Sequence, residues 1–296
     1  MEKSRIPWWQ WPNLLSLDAP LVALAWLWMF SRLYHVKVPD PAVYGILVGM
    51  VWVIYVLDRL RDARSEDSEL RDRHHFHWRH RKVLIPLIIL VSISCVVGFV
   101  FGVPTAMLWY WPFGFPQTLS GFAEAIFSHG FCVIVLAACF FVVGHQQGPG
   151  IESVLFKNSL AALTFAFGTA IGAHFYTYNG VVSMLFSFEA LGFSFLCLMN
   201  LNAIDLWERE EEAGEDYQSR DFLLSLPLLV IGFISLLAAT FWHEYRKPFY
   251  YSMLLASAAL LMLDHFRVRF SARLLRVLAD VALLVPLPIF WFWFKN

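Results

Sequence analysis

The sequence predicts an all-α, polytopic membrane protein: about nine transmembrane helices in a bundle around a central cavity. Three observations carry that expectation. Hydrophobic residues make up 59% of the chain and charged ones 15%, and the mean hydropathy is +0.59, which sets the chain apart from a soluble domain of ordinary composition. Apolar runs recur that are long enough to cross a hydrocarbon core of about 30 Å, which takes roughly 17–25 helical residues. Lysine and arginine are distributed unevenly among the segments between those runs, as expected of a chain threaded through a bilayer.

The runs fall at about 15–34, 41–60, 83–103, 121–144, 157–176, 181–203, 222–242, 249–265 and 275–294. Backbone polar groups must be paired within the bilayer, so each is expected as a helix. Trp8, Trp9 and Trp11 ahead of the first run suit the interface, and that stretch lacks a signal-peptide pattern. The Pro- and aromatic-rich stretch 104–120 is a candidate re-entrant segment before the fourth run. In the fifth run, LAALTFAFGTAIGA (160–173) offers a small-residue face for close helix approach. Cys95, Cys132, Cys139 and Cys197 lie within the runs without CxxC spacing, which reads as helix packing in preference to disulfides or metal ligation.

No linker divides the chain, so 1–296 is read as a single membrane-embedded domain. Its halves, about 1–145 and 146–296, echo each other: an acidic motif follows the second run, an acidic cluster follows the sixth, and a polar loop follows each. With a cytoplasmic N-terminus, the inner segments hold 17 of the 22 lysines and arginines, eight of them in 59–82. The positive-inside rule then puts both acidic groups on the cytoplasmic face of a bacterial-type inner membrane.

The chemistry-bearing residues are found among and around those acids. Asp58 and Asp62 stand four apart on one helix face, with Arg59, Arg61 and Arg64 interleaved. Asp205 and Glu208 are three apart at the end of the sixth run. A charge at the centre of a span costs about 2.5–3.5 kcal/mol on the insertion scale, so such residues need a reason. Mg²⁺ takes one or two carboxylates plus phosphate oxygens and water, and two facing clusters would suit a metal–diphosphate ligand. A solvated helix end is the plainer explanation for DxxxD taken alone. Glu189 sits about 24 Å along its helix from Asp205 at 1.5 Å per residue, roughly mid-membrane, as a candidate acceptor-site residue or a structural hydrogen-bond partner. The stretch RHHFHWRHR (73–81) puts His77 and His80 three apart with His74 one turn back. Membrane di-iron sites need about three such boxes, so the stretch reads as a basic loop helix contacting lipid phosphates or capping the site. Arg71, Arg73 and Arg79 are candidates to reach a diphosphate from it.

This arrangement resembles the UbiA superfamily of intramembrane prenyltransferases, which has nine helices, an NDxxDxxxD-type motif after the second and a DxxxD-type motif after the sixth. The register agrees over nearly the whole chain. Asp58 and Asp62 match the last two acids of the first motif, and Asp205, preceded by Asn202, matches the first acid of the second. SLDAPLVAL resembles the family's opening helix, and LFKNSLAALTFAFGTAIG maps Lys157 onto a diphosphate-binding lysine. The resemblance implies transfer of an isoprenyl group from a prenyl diphosphate to an acceptor. Asp58, Asp62, Asp205 and Glu208 would hold Mg²⁺, while Lys157, Arg209 and Asn202 would bind the diphosphate. Ile54 and Tyr55 replace the Asn-Asp pair of the first motif, and Arg209 stands at the last acid of the second. Fewer acids imply one Mg²⁺ instead of two, altered chemistry, or loss of activity.

The partners expected are thus the lipid bilayer, a prenyl diphosphate and an acceptor, with no nucleic acid. Two other readings compete. A CDP-alcohol phosphotransferase also places acids and an Ala-Arg pair at a membrane surface, but the further spaced aspartates of that motif do not follow DAR at 62–64. A non-catalytic or transport-type protein on the same scaffold accommodates the depleted first motif, although transporters favour helices broken at mid-span in both halves.

Overall fold

The computed structural model describes residues 7–36, 39–63, 72–102, 119–142, 151–177, 181–213 and 221–295. The stretch 103–118, Arg64, Arg71, His145 and the loop 214–220 lie outside the described residues, as do the side chains of Arg73 and His74. Among the described residues every regular element is helical. Six helices are long and apolar enough to cross a membrane, or seven if a bent pair at the N-terminus counts as one span. Two of the nine expected runs do not meet this measure among the described residues. The helix at 247–265 forms but carries tyrosines, serines and Asp264 within its run. The fourth run forms a helix over Leu119–Val142 whose described apolar part is only Ser128–Val142. The chain divides into two compact units, 1–24 with 38–116 and 25–37 with 117–296, a division that falls elsewhere than the two echoing halves.

In the first unit, helix α1 (Trp11–Leu14) meets α2 (Asp18–Leu33) at a 78° bend. The bend is built by Ser16 at φ 57°, with Leu17 N–H donating back to the Pro12 carbonyl at 2.8 Å. That six-to-one bond is a Schellman closure with serine in the left-handed position that usually takes glycine. Helix α3 (Pro41–Asp62) starts sharply because Asp40 accepts from Ala42 N–H at 2.7 Å and Pro41 gives up no donor that the helix would use. It is followed by α4 (Asp72–Arg79) and by α5 (Arg81–Val97), which runs on as a widened turn over Gly98–Gly102. Helices α3 and α5 touch at Gly49, where an added Cβ would lie 2.5 Å from Cys95 Sγ and 3.1 Å from Val91 Cγ1. Val53, Val56 and Ile88 form the core beside that contact.

The second unit holds the later part of α2 and eight further helices. These are α6 (Leu119–Val142), α7 (Ile151–His174), α8 (Val181–Leu185), α9 (Phe188–Ala213), α10 (Leu226–Phe241), α11 (Lys247–His265), α12 (Ala272–Leu284) and α13 (Leu287–Lys295). Helix α9 is its axis: 61% of its apolar window is buried, against 39% or less in the other five candidate spans. It packs on α7, α10, α11 and α12. Trp26 of α2 is fully buried and stacks on Phe193 of α9 at 4.2 Å, with Phe249 of α11 edge-on at 5.5 Å. The break at Val285–Pro286 leaves carbonyls at the end of α12 without helical donors, and the Trp26 indole takes that of Leu283 at 3.0 Å.

The expected start of the sixth span at 181 is also corrected. The chain breaks after Leu185, and α9 begins only at Phe188, because Ser187 caps it by accepting from Ala190 N–H at 3.2 Å.

The contact at Gly49 is testable. Gly49→Ala should destabilise the detergent-solubilised protein by about 1–3 kcal/mol through overpacking, and a second change, Cys95→Ala, should restore most of it. Additive losses in thermal-unfolding curves of the double variant would show that the two residues do not meet.

Candidate functional site

Asp58 and Asp62 lie in the last two turns of α3, and Asp62 is its final residue. A helix C-terminus disfavours carboxylates, and Arg59 and Arg61 in the same turns compensate. Arg59 is buried and turns to the first unit's own frame, donating to the Asn13 carbonyl and lying 3.9 Å from Asp18. Trp52 Nε1 adds a bond to the Leu15 carbonyl at 3.0 Å. The acidic end of α3 is thus held firmly against the α1–α2 bend. From the histidine stretch, His77 is buried and pairs with Ser16 Oγ at 3.2 Å, and His80 Nδ1 meets the carbonyl of Phe76 at 2.8 Å. Both contacts are those of a docked structural helix.

The second acidic group is drawn apart by its neighbours. Asn158 of α7 donates through one amide nitrogen to Asn202 Oδ1 at 3.0 Å and to Asp205 Oδ2 at 2.7 Å. Lys157 precedes Asn158 and so shares its turn of helix. Glu208, one turn beyond Asp205, is buried and ion-paired with Arg276 of α12. Glu210 takes Arg267 Nε at 2.8 Å. Asp264 accepts from the Trp207 indole at 3.0 Å and from Ser225 Oγ at 3.3 Å, and Asn200 donates to Asp280 at 3.2 Å. Arg209 is half-buried on the same turn as Glu208. Of the expected site residues in this unit, Asn202 and Asp205 therefore come together on the Asn158 amide, while Glu208 is answered by a guanidinium from another helix.

Sequence reasoning singled out none of Asn158, Arg276, Asp264 and Asp280 as site residues. Their partners lie 39 to 80 residues away along the chain, beyond any local spacing rule. The usable signal was polarity inside an apolar run.

Among the described residues of either unit, no three His, Cys, Asp or Glu side chains gather closely enough to hold a metal ion. Mg²⁺ needs fewer protein ligands than that, since water and phosphate oxygens complete its shell. Asp58 with Asp62, or Asp205 alone, fits the protein's share of one ion. Glu208 carries its ion pair with Arg276 at that position.

Glu189 lies in the first turn of α9, a position a helix dipole favours for an acid. It is 16 residues from Asp205 on one unbroken helix, about 24 Å at 1.5 Å per residue, so the two cannot touch the same reacting centre. Glu189 Oε1 accepts from Arg246 Nη1 at 2.8 Å and from Tyr250 OH at 3.0 Å. Burial works against the charge of Arg246, but its hydrogen bond to Tyr245 and the adjacent Glu189 carboxylate outweigh that, and its pKa lies above the ordinary value. Nearby, His129 and His174 share a hydrogen bond at 3.1 Å, and His174 Nε2 meets Ser183 Oγ at 3.2 Å. A cavity of about 230 Å³ opens beside the pair, with Tyr34 and His174 in its wall.

Set against protein-family models, curated proteins and solved structures, the chain matches none. The fold itself defines the class: an all-α, multi-pass membrane protein.

Arg276→Met should destabilise the protein by about 3–5 kcal/mol, because it strands a buried carboxylate. Adding Glu208→Gln should recover more than half of that loss in denaturant titrations, and a double variant no better than the single would show that the pair is not coupled.

Proposed function

We propose that the chain is a membrane prenyltransferase of the UbiA kind, moving an isoprenyl group from a prenyl diphosphate to an acceptor with Mg²⁺. The observation that carries this reading is the amide of Asn158, which joins Asn202 and Asp205 and so sets the Lys157 turn beside the second acidic motif. A diphosphate needs a cation and an acid that can take Mg²⁺, and Lys157 is the residue before Asn158 in the sequence. Mg²⁺ supplies Lewis-acid stabilisation of the leaving diphosphate. Asp205 supplies a carboxylate for it in the second unit, and Asp58 with Asp62 do so separately in the first. Lys157 and Arg209 neutralise phosphate charge, and Asn202 orients the donor end through Asn158. Glu208 holds α12 to α9 through Arg276. The N-terminus and both acidic groups face the cytoplasm in this reading.

The test is retention of radiolabelled geranylgeranyl diphosphate by purified protein in detergent, with Mg²⁺ and with EDTA. Mg²⁺-dependent retention should fall at least tenfold in Asp58→Asn/Asp62→Asn and in Asp205→Asn. Equal retention by wild type and both variants overturns the reading. A non-catalytic or transport-type protein is the second reading, favoured by the capture of Glu208 by Arg276, and it expects no retention even by the wild type.

Orientation is checked separately. With the native cysteines replaced, Gln10→Cys should stay unlabelled by a membrane-impermeant maleimide in intact cells while His243→Cys labels. The opposite pattern reverses the assigned orientation.

A further inference from the structure

The Glu189–Arg246 cavity stands apart from everything the prenyl-transfer reading uses. It lies at the opposite end of α9 from Asp205, where the C-terminal ends of α2 and α7 meet the start of α9. All of its walls belong to the second unit.

Its chemistry is that of a site with valences to spare. Glu189 is nearly fully buried, yet both of its bonds fall on Oε1, and Oε2 accepts none among the described residues. Arg246 keeps about a third of its side chain exposed and uses two of its five N–H donors among the described residues, one on Glu189 and one on Tyr245. The Tyr34 hydroxyl is buried in the cavity wall and makes no hydrogen bond of ordinary geometry, although Ser187 lies beside it. Buried polar groups are nearly always satisfied, and an ion pair with unmet donors and acceptors in a sheltered site calls for a partner. Here an open acceptor and open donors of opposite charge sit side by side. A lone anion would meet the Glu189 carboxylate, and a lone cation would meet the guanidinium. A molecule carrying both charges a few atoms apart meets neither penalty.

We propose that this cavity is a second ligand site, for a small zwitterion whose oxyanion lies on Arg246 and Tyr34 and whose ammonium lies on Glu189 Oε2. The site rests on the ends of apolar helices, where phospholipid headgroups gather, so the zwitterion has two sources: a soluble phosphoethanolamine-type molecule or the same group on a lipid. The proposal does not depend on prenyl transfer, and its failure leaves that reading untouched.

The experiment uses the full chain, delipidated in a non-ionic detergent and followed by thermal unfolding and native mass spectrometry. Four probes are titrated: O-phosphoethanolamine, short-chain phosphatidylethanolamine, short-chain phosphatidylglycerol and ethanolamine. One or both of the first two should bind saturably, and the single-charge probes at least tenfold more weakly. Binding of the soluble probe assigns a free metabolite; binding of the lipid alone assigns a headgroup site. Glu189→Gln should weaken binding about tenfold. Tyr34→Phe, which keeps the ring and its packing, should weaken it about threefold or more and keeps the test open if the first variant does not fold. The proposal is overturned if no probe binds saturably and water alone fills the cavity, if phosphatidylglycerol binds as well as phosphatidylethanolamine, or if Tyr34→Phe leaves the affinity unchanged.

Discussion

A charged or amide side chain inside an apolar bundle must be answered by a polar partner, and along α9 that partner comes from the segments packed around it. Glu189 is met by Arg246 and Tyr250, Asn202 and Asp205 by Asn158, Trp207 by Asp264, Glu208 by Arg276 and Glu210 by Arg267. Apolar packing alone specifies little between membrane helices, since lipid tails are as apolar as leucine. Directional bonds fix what that packing leaves open. Asn158 fixes the rotation of α7 on α9, Asp264 that of α11, and Arg276 that of α12. The stacking of Trp26 on Phe193 and its indole bond to Leu283 then seat α2 against the same axis.

That arrangement explains what could be read from the sequence and what could not. Helical spans are a local property, so the runs at 41–60, 83–103, 157–176 and 222–242 appear close to their expected places. The boundary at 181 failed because Val181–Leu185 is as apolar as the start of α9, and the cap at Ser187 is a single hydroxyl inside that run. At the polar sites the acids themselves were visible and their partners were not. Asp205 announces itself at the end of an apolar run, but whether it faces an amide, a cation or a metal depends on α7, which is 47 residues away at the bonded position. Lys157 was visible through its resemblance to a family motif, whereas Asn158, the residue that makes the contact, is ordinary in any local window.

The same helix also separates two kinds of chemistry. At one end Asn202 and Asp205 share the amide of Asn158, an arrangement rich in acceptors. At the other, Glu189 and Arg246 form a charge-neutral couple in a sheltered cavity. The span between them is about 24 Å of continuous α-helix, which is stiff.

The separation of Glu189 from Arg246 along the chain also has a dimension in time. Arg246 is 57 residues downstream of its carboxylate, and a ribosome adding about 5–20 residues per second needs roughly 3–11 s to reach it. During that interval α9 has emerged with an acid at its first turn and no guanidinium to meet it. Membrane insertion of this segment therefore begins with an unneutralised helix end, and the final placement of α9 waits on the synthesis of the turn that leads into α11.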